Sequence, residues 1–163
     1  MFQTIVVGTD GSAGANKAVL AAAELAGSQG ACTLHIVTVQ KPLSPTALAA
    51  SEMAAAAPVA AQANWEDEIK GELDKLLHQA SDTAIEAGHD SKQLTIETHA
   101  RFGNPAEVLC DMAAHLDADL IIVGNRGMQG GRRFLGSVPN TVSHHAPCSV
   151  LIVDTQSDPD ATS

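Results

Sequence analysis

The sequence TIVVGTDGS at residues 4–12 joins a β-branched run directly to glycine and turn-forming residues. Consecutive apolar side chains at residues 5–7 are typical of a strand buried on both faces of a parallel sheet. Glycine directly after such a strand lets the backbone turn sharply and approach a ligand closely. The stretch therefore predicts a central strand followed by a loop at the ligand-binding edge of an open α/β sheet.

Further short apolar runs alternate with stretches of helical periodicity along the chain. This alternation predicts βαβ units and a parallel sheet with helices on both faces. We expect strands at residues 4–7, 33–39, 94–98, 120–123 and 150–153. We expect helices around residues 18–26, from Asn64 to near Gly88, from Asn104-Pro105 onward, and from Gly136-Ser137 to just before Pro147.

Length and charge limit the class of protein. The 163 residues are 45% hydrophobic, which fits one domain at residues 1–155. Prolines around an alanine-rich stretch predict a mobile connection at residues 41–63, and polar composition predicts a disordered acidic tail at residues 156–163. The net charge of −10 opposes nucleic acid and anionic membranes as partners. We expect a cytoplasmic protein, because no signal peptide or membrane-spanning run is recognisable.

Cysteine and histidine form no recognisable metal or catalytic pattern. Three scattered cysteines without C-x-x-C spacing are predicted to be buried thiols. His144 and His145 are adjacent on a predicted helix and therefore point in different directions, unlike a chelating i, i+4 pair. Ser12 and Ser137 lack the G-x-S-x-G setting of a nucleophile. We therefore expect no catalytic residue and no metal held by protein side chains.

A second glycine-rich stretch, GNRGMQGGRRFLGS at residues 124–137, follows the fourth predicted strand. Glycines, three arginines (Arg126, Arg132 and Arg133) and a following helix start suit phosphate groups. Neither a P-loop lysine motif nor a G-x-G-x-x-G fingerprint is present at either glycine-rich loop. The alternative interpretation is that the glycines only form tight turns and the arginines are solvated.

Three motifs together resemble the universal stress protein family. They are residues 5–12, DLIIVGNRG at residues 119–127, and GSV at residues 136–138 with HHAPCSVLIV at residues 144–153. The resemblance covers residues 2–153. It implies a three-layer α/β/α, Rossmann-like fold with a five-stranded parallel sheet of order 3-2-1-4-5. It also implies a homodimer through the last strand, Val150–Val153, and, in one branch of the family, bound ATP. Such ATP could carry Mg²⁺ on its phosphates.

The resemblance further implies nucleotide contacts. Asp10 and Val39 match positions beside the adenine. The family pattern G-x2-G-x9-G-[ST] matches Gly124, Gly127, Gly136 and Ser137, with one residue fewer in its longer gap. The predicted site residues are Thr9, Asp10, Ser12, Val39, Val123, Gly124, Arg126, Gly127, Gly136, Ser137 and Val138.

Two of these positions have a second interpretation from local chemistry. Asp10 could instead form a turn by accepting local backbone N–H groups. Ser137 is expected to be a helix N-cap in either case, because capping and phosphate binding are compatible.

The sequence thus predicts a regulatory stress-response protein that holds ATP with little or no catalysis. Two alternatives stay open: a slow ATP hydrolase or a phosphoryl- or adenylyl-transfer enzyme, and a nucleotide-free dimeric scaffold. The last strand is apolar at every position yet is expected at the sheet edge, where unpaired backbone groups need cover. A two-fold partner copy would provide that cover.

Overall fold

The computed structural model describes residues 1–41, 59–88, 93–125 and 136–155, with the backbone alone for residues 59–67. All strand pairs are parallel and the sheet order is β3-β2-β1-β4-β5, which confirms the predicted fold class. In chain order the elements are β1 (Thr4–Thr9), α1 (Ala13–Ser28), β2 (Cys32–Gln40), α2 (Val59–Ala87), β3 (Leu94–Phe102), α3 (Pro105–His115), β4 (Leu120–Gly124), α4 (Ser137–His145) and β5 (Ser149–Val153).

Several elements extend beyond their predicted limits. β3 continues to Phe102 because its backbone stays paired in register with β2 as far as Gln40. α2 begins at Val59 rather than Asn64, so the connection predicted at residues 41–63 is shorter at that end. Residues 42–58 and the predicted tail at residues 156–163 lie outside the described residues. Within the described ranges, no helix is both long and apolar enough to cross a bilayer.

Side chains of alternate residues form a hydrophobic core on each face of the sheet. One core, shared with α1 and α2, contains Ile5 and Val7 of β1 and a stripe of alanines on α1. The other, shared with α3 and α4, contains Val6 of β1 and Leu109 of α3. The period of two follows from strand geometry. Residues 5–7 and 120–123 are buried throughout, as expected for central strands covered on both faces.

Polar caps fix where the helices begin. Ser12 Oγ accepts a hydrogen bond from Ala15 N at the start of α1. Asn104 Oδ1 accepts one from Ala106 N before α3, which confirms the predicted Asn-Pro start. At α4 the expectation that Ser137 is the N-cap was wrong, because extended Gly136 occupies the cap and Ser137 is the first helical residue.

The two central strands are joined at their first residues by Asp119. Its Oδ2 accepts hydrogen bonds from Gln3 N at 2.7 Å and Thr4 N at 3.0 Å, and Asp119 N donates to Thr4 O. These backbone N–H donors hold the pKa of Asp119 below its usual range because they stabilise the charged carboxylate. The carboxylate therefore ties the start of β1 to the start of β4.

The three cysteines are free thiols packed against the cores. Cys32 is buried, whereas Cys110 and Cys148 are half-buried on the α3 and α4 side. Burial is the main reason that the pKa of each thiol is raised. The prediction of buried thiols is thus confirmed fully for Cys32 and in part for the other two.

Candidate functional site

A cleft of about 530 Å³ opens at the carboxyl ends of the central strands. Strand order reverses between β1 and β4, and open α/β sheets bind ligands at such a point. Eight predicted site residues line the cleft: Thr9, Asp10, Val39, Val123, Gly124, Gly136, Ser137 and Val138. The lining also includes residues that sequence analysis missed: Gly8, Ala15, Val37, Gln40, Lys41, Pro105, Leu109 and Pro139.

The loop after β1 is organised by short-range hydrogen bonds. Thr9 Oγ1 accepts from Gly11 N at 3.2 Å, and Asp10 Oδ1 accepts from Ser12 N at 3.0 Å. Gly11 has a φ of +75°, a conformation that glycine adopts without steric cost. Asp10 therefore makes the turn that local chemistry predicted while also lining the cleft. Ser12 is not among the lining residues; its hydroxyl caps α1 instead.

The floor of the cleft depends on a close approach between β1 and α3. A Cβ placed on Gly8 would lie only 2.9 Å from Leu109 Cδ1. Leu109 is 2% exposed and belongs to the core under α3 and α4. A glycine at position 8 therefore lets the leucine reach the end of β1 and form an apolar floor.

Asn125 fixes both ends of the glycine-rich segment. Its N–H donates to Val153 O at 2.8 Å, and its carbonyl accepts from Gly136 N at 2.9 Å. Its side chain donates to Asp154 Oδ1 at 2.7 Å and accepts from Thr155 N and Thr155 Oγ1. The segment consequently starts and ends beside the carboxyl end of β5. The predicted residues Arg126, Gly127, Arg132 and Arg133 lie within the part of this segment outside the described residues.

The positive end of α4 borders the cleft. Ser137 and Val138 are its first two residues and both line the cavity. Backbone N–H groups in the first turn of a helix have no partner inside the helix, and the helix dipole favours anions there. Lys41 is the only basic residue among the described lining residues. Lys41 is the first residue of the predicted connection at residues 41–63, and its position just after β2 places it at the same sheet edge.

A separate polar cluster lies on the sheet face covered by α3 and α4. His35 Nδ1 is 3.0 Å from His99 Nε2 and 3.4 Å from Glu97 Oε2. Burial lowers the pKa of His35, and burial together with the charges of His35 and Arg101 lowers that of His99. The sequence does not reveal this cluster through metal-ligand spacing along one element, because its residues come from two neighbouring strands.

Comparison with known proteins places this fold in a family. Residues 1–154 match the model of the universal stress protein family. Universal stress protein Rv1636 of Mycobacterium tuberculosis is 34% identical over 155 residues, which cover 94% of this chain and 97% of that protein.

Solved structures share the architecture. A universal stress protein crystallised in complex with cAMP is 31% identical, with a TM-score of 0.67 and coverage of 95% of this chain and 98% of that one. A universal stress protein family member from Arabidopsis thaliana with AMP bound shares the fold at 16% identity, with a TM-score of 0.62 and coverage of 98% and 97%. Because the family match spans nearly the whole chain and a relative of 34% identity covers 94% of it, the chain belongs to the universal stress protein family.

Proposed function

We propose that this protein binds an adenine nucleotide, ATP, in the cleft and acts as a regulatory binding protein with little or no catalysis. One observation carries the proposal: the ends of β1 and β4 and the start of α4 surround a single cavity at the point where strand order reverses. The cAMP-bound and AMP-bound relatives support an adenine nucleotide as the ligand class.

The lining of the cleft combines the two kinds of surface that a nucleotide requires. Val39 and Leu109 offer apolar surface for a base, and Asp10 offers a polar group. Ser137 and Val138 lie in the first turn of α4, where backbone N–H groups and the helix dipole favour a phosphate. ATP would bring Mg²⁺ with its phosphates, and the protein itself would supply no metal ligand there.

Local charge helps to explain how an acidic protein holds an anion. The chain carries a net charge of −10, so its long-range field opposes binding of ATP. Lys41 and the start of α4 counter this field at the cleft itself. We therefore expect affinity for ATP to fall when the lysine charge is removed. It should also fall when the Ser137 hydroxyl is removed, because that hydroxyl lines the cleft and can donate a hydrogen bond to a phosphate oxygen.

Calorimetric titration of the nucleotide-free protein with ATP, ADP, AMP and cAMP tests the proposal. In a separate unfolding experiment, ATP at a hundredfold excess over its dissociation constant should raise the free energy of unfolding by about 2.7 kcal/mol. Lys41→Gln and Ser137→Ala should each weaken ATP binding several-fold. Matched controls are Lys70→Gln on α2 and Ser143→Ala on α4, which are exposed residues outside the cleft lining. The controls should bind ATP like the unmutated protein.

Each contrary result has a distinct meaning. Binding of no nucleotide would leave a nucleotide-free scaffold. Unchanged affinity in both cleft variants would place the nucleotide elsewhere. Tighter binding of cAMP than of ATP would refute ATP as the ligand, and release of phosphate over many turnovers would favour the enzyme alternative.

We also propose that two copies associate through β5. This strand lies at the sheet edge, and Leu151 is 39% exposed on it. An exposed apolar edge with unpaired backbone groups needs a partner. Because Ile152 packs against the core under α3 and α4, its replacement could unfold the chain. Leu151→Lys is therefore the better probe.

Light scattering at micromolar concentration tests the dimer. Leu151→Lys should give monomers. Leu20→Lys, which replaces a leucine of similar exposure (38%) on α1, should leave the dimer intact. A monodisperse monomer for the unmutated protein would contradict this proposal. The cytoplasmic location also stays a prediction, and fractionation of cells that express the tagged chain would test it.

A further inference from the structure

The polar cluster on the α3 and α4 side joins two neighbouring strands. His35 of β2 and Glu97 of β3 are paired in the parallel register. His99 lies two residues beyond Glu97, so its side chain points to the same face of the sheet. None of the three residues lines the cleft. The cluster therefore lies outside the nucleotide site proposed above.

Three atoms of the cluster form a compact triangle. His35 Nδ1 and His99 Nε2 are 3.0 Å apart, and Glu97 Oε2 is 3.4 Å from the first and 3.8 Å from the second. One point in their plane is about 2.0 Å from all three, which is close to the usual Zn–N and Zn–O bond lengths. The three donor atoms are therefore spaced so that a single ion could contact all of them once the rings turn toward it.

We propose that His35, Glu97 and His99 form a binding site for a divalent transition-metal ion, for which Zn²⁺ is the best-fitting probe. Two imidazole nitrogens and one carboxylate oxygen are ligands that Zn²⁺ prefers. The Glu97 side chain is 52% exposed, whereas those of His35 and His99 are 6% and 17% exposed. Solvent thus reaches the cluster from the glutamate side, and water can supply a fourth ligand.

Bound metal would replace the hydrogen bond between the two imidazoles. Without an ion, one ring nitrogen donates to the other across the 3.0 Å contact. Coordination requires a lone pair on both nitrogens, so each neutral ring would carry its proton on its other nitrogen. Replacing the hydrogen bond by metal coordination therefore requires one of the two rings to change tautomer. Both rings stay neutral.

One neighbouring charge opposes a cation at this site. Arg101 lies two residues beyond His99 on β3 and therefore points to the same face of the sheet. Its guanidinium is permanently positive. We expect Arg101→Gln to bind Zn²⁺ more tightly than the unmutated protein, because the substitution removes this repulsion.

Calorimetric titration of the chelator-treated, nucleotide-free full chain with Zn²⁺ tests the proposal. One equivalent should bind at the cluster. His99→Ala and Glu97→Gln should each weaken that binding by at least about tenfold, since even indirect support of a metal ligand is worth about 10–100-fold. His115→Ala and Glu86→Gln, which alter exposed residues on α3 and α2, should bind Zn²⁺ unchanged. His35 is left intact because its side chain is buried.

Two further measurements separate loss of the metal site from loss of the fold. Circular dichroism should show that the metal-free variants remain folded, and Co²⁺ should give the visible absorption of a four-coordinate site only when both His99 and Glu97 are present. Equal Zn²⁺ affinity in the unmutated protein, His99→Ala and Glu97→Gln would overturn the proposal, as would absence of saturable Zn²⁺ binding. Because no nucleotide is present, either outcome leaves the function proposed for the cleft unaffected.

Discussion

Replacing Leu109 and Gly8, singly and together, tests whether the cleft floor is built by direct contact between β1 and α3. Leu109 is 2% exposed, and burial of this kind makes Leu→Ala cost about 2.7–5.0 kcal/mol. One side of Leu109 borders the cleft, so water can fill part of the space that the substitution leaves. We therefore expect Leu109→Ala to lower the free energy of unfolding by about 3 kcal/mol, near the lower end of that range.

Gly8→Ala acts on the same contact from the other side. The new Cβ would lie 2.9 Å from Leu109 Cδ1, whereas carbon atoms normally pack about 3.5–4.0 Å apart. Overpacking costs about 1–3 kcal/mol, and loss of the backbone freedom of glycine in the unfolded chain returns about 0.4–1 kcal/mol. The net expectation is a loss of about 1 kcal/mol.

The double variant gives the decisive number. With alanine at position 109 the new methyl group meets no clash and fills part of the cavity. The double variant should therefore lose about 1–2 kcal/mol less than the sum of the single losses, a coupling typical of residues in contact. Urea unfolding followed by circular dichroism measures all three variants. Gly71→Ala is the control, because a Cβ there meets no atom within 4 Å and should stabilise α2. Additive losses at positions 8 and 109 would refute the contact.

Two further predictions concern hydrogen bonds outside the cleft floor. Asp119→Ala should lower the free energy of unfolding by about 1 kcal/mol at neutral pH, because Gln3 N and Thr4 N lose their acceptor. The pKa of Asp119 is lower in the folded chain than its ordinary value of 3.8. The carboxylate therefore contributes its full stabilisation of the folded state at pH values above 3.8. This contribution is lost as the pH falls through the lower pKa of the folded state. Urea titrations at several pH values should therefore converge for variant and parent in acid; a constant difference would contradict the assignment. Asn125→Ala should speed hydrogen exchange at the Thr155 amide, which loses its acceptor, whereas Asn140→Ala on α4 should not.

The fold was predictable because its signals are local. The apolar runs at residues 5–7 and 120–123 mark central strands by composition alone, and Asn104-Pro105 marks a helix start by its capping chemistry. β3 was harder to delimit. Its later part carries His99 and Arg101 and has no apolar run to mark it as a strand. Only pairing with β2 reveals that the strand continues.

The candidate site was predictable in part for a similar reason. Residues at or just beyond the carboxyl ends of strands, such as Gly124 and Asp10, could be placed at one sheet edge from topology. Leu109 could not, because its position in the cleft depends on how closely α3 approaches Gly8. The pairing of His35 with Glu97 depends on the register between β2 and β3, which is set by how both strands pack and not by the sequence of either strand alone. Ser137 was misassigned as the N-cap because the general preference for serine was applied where glycine occupies that position.

Asn125 has a consequence for how the two proposed activities relate. A single residue joins the start of the glycine-rich segment to Gly136 near its end and, through Val153, Asp154 and Thr155, to the end of the strand proposed to meet a second copy. If a ligand at the cleft shifts Asn125, the edge of the sheet shifts with it. Thermodynamic reciprocity then requires that self-association change ligand affinity by the same factor by which the ligand changes self-association. The fraction of protein in the dimer would thus depend on ligand concentration, and the hydrogen bonds of Asn125 would couple the two equilibria.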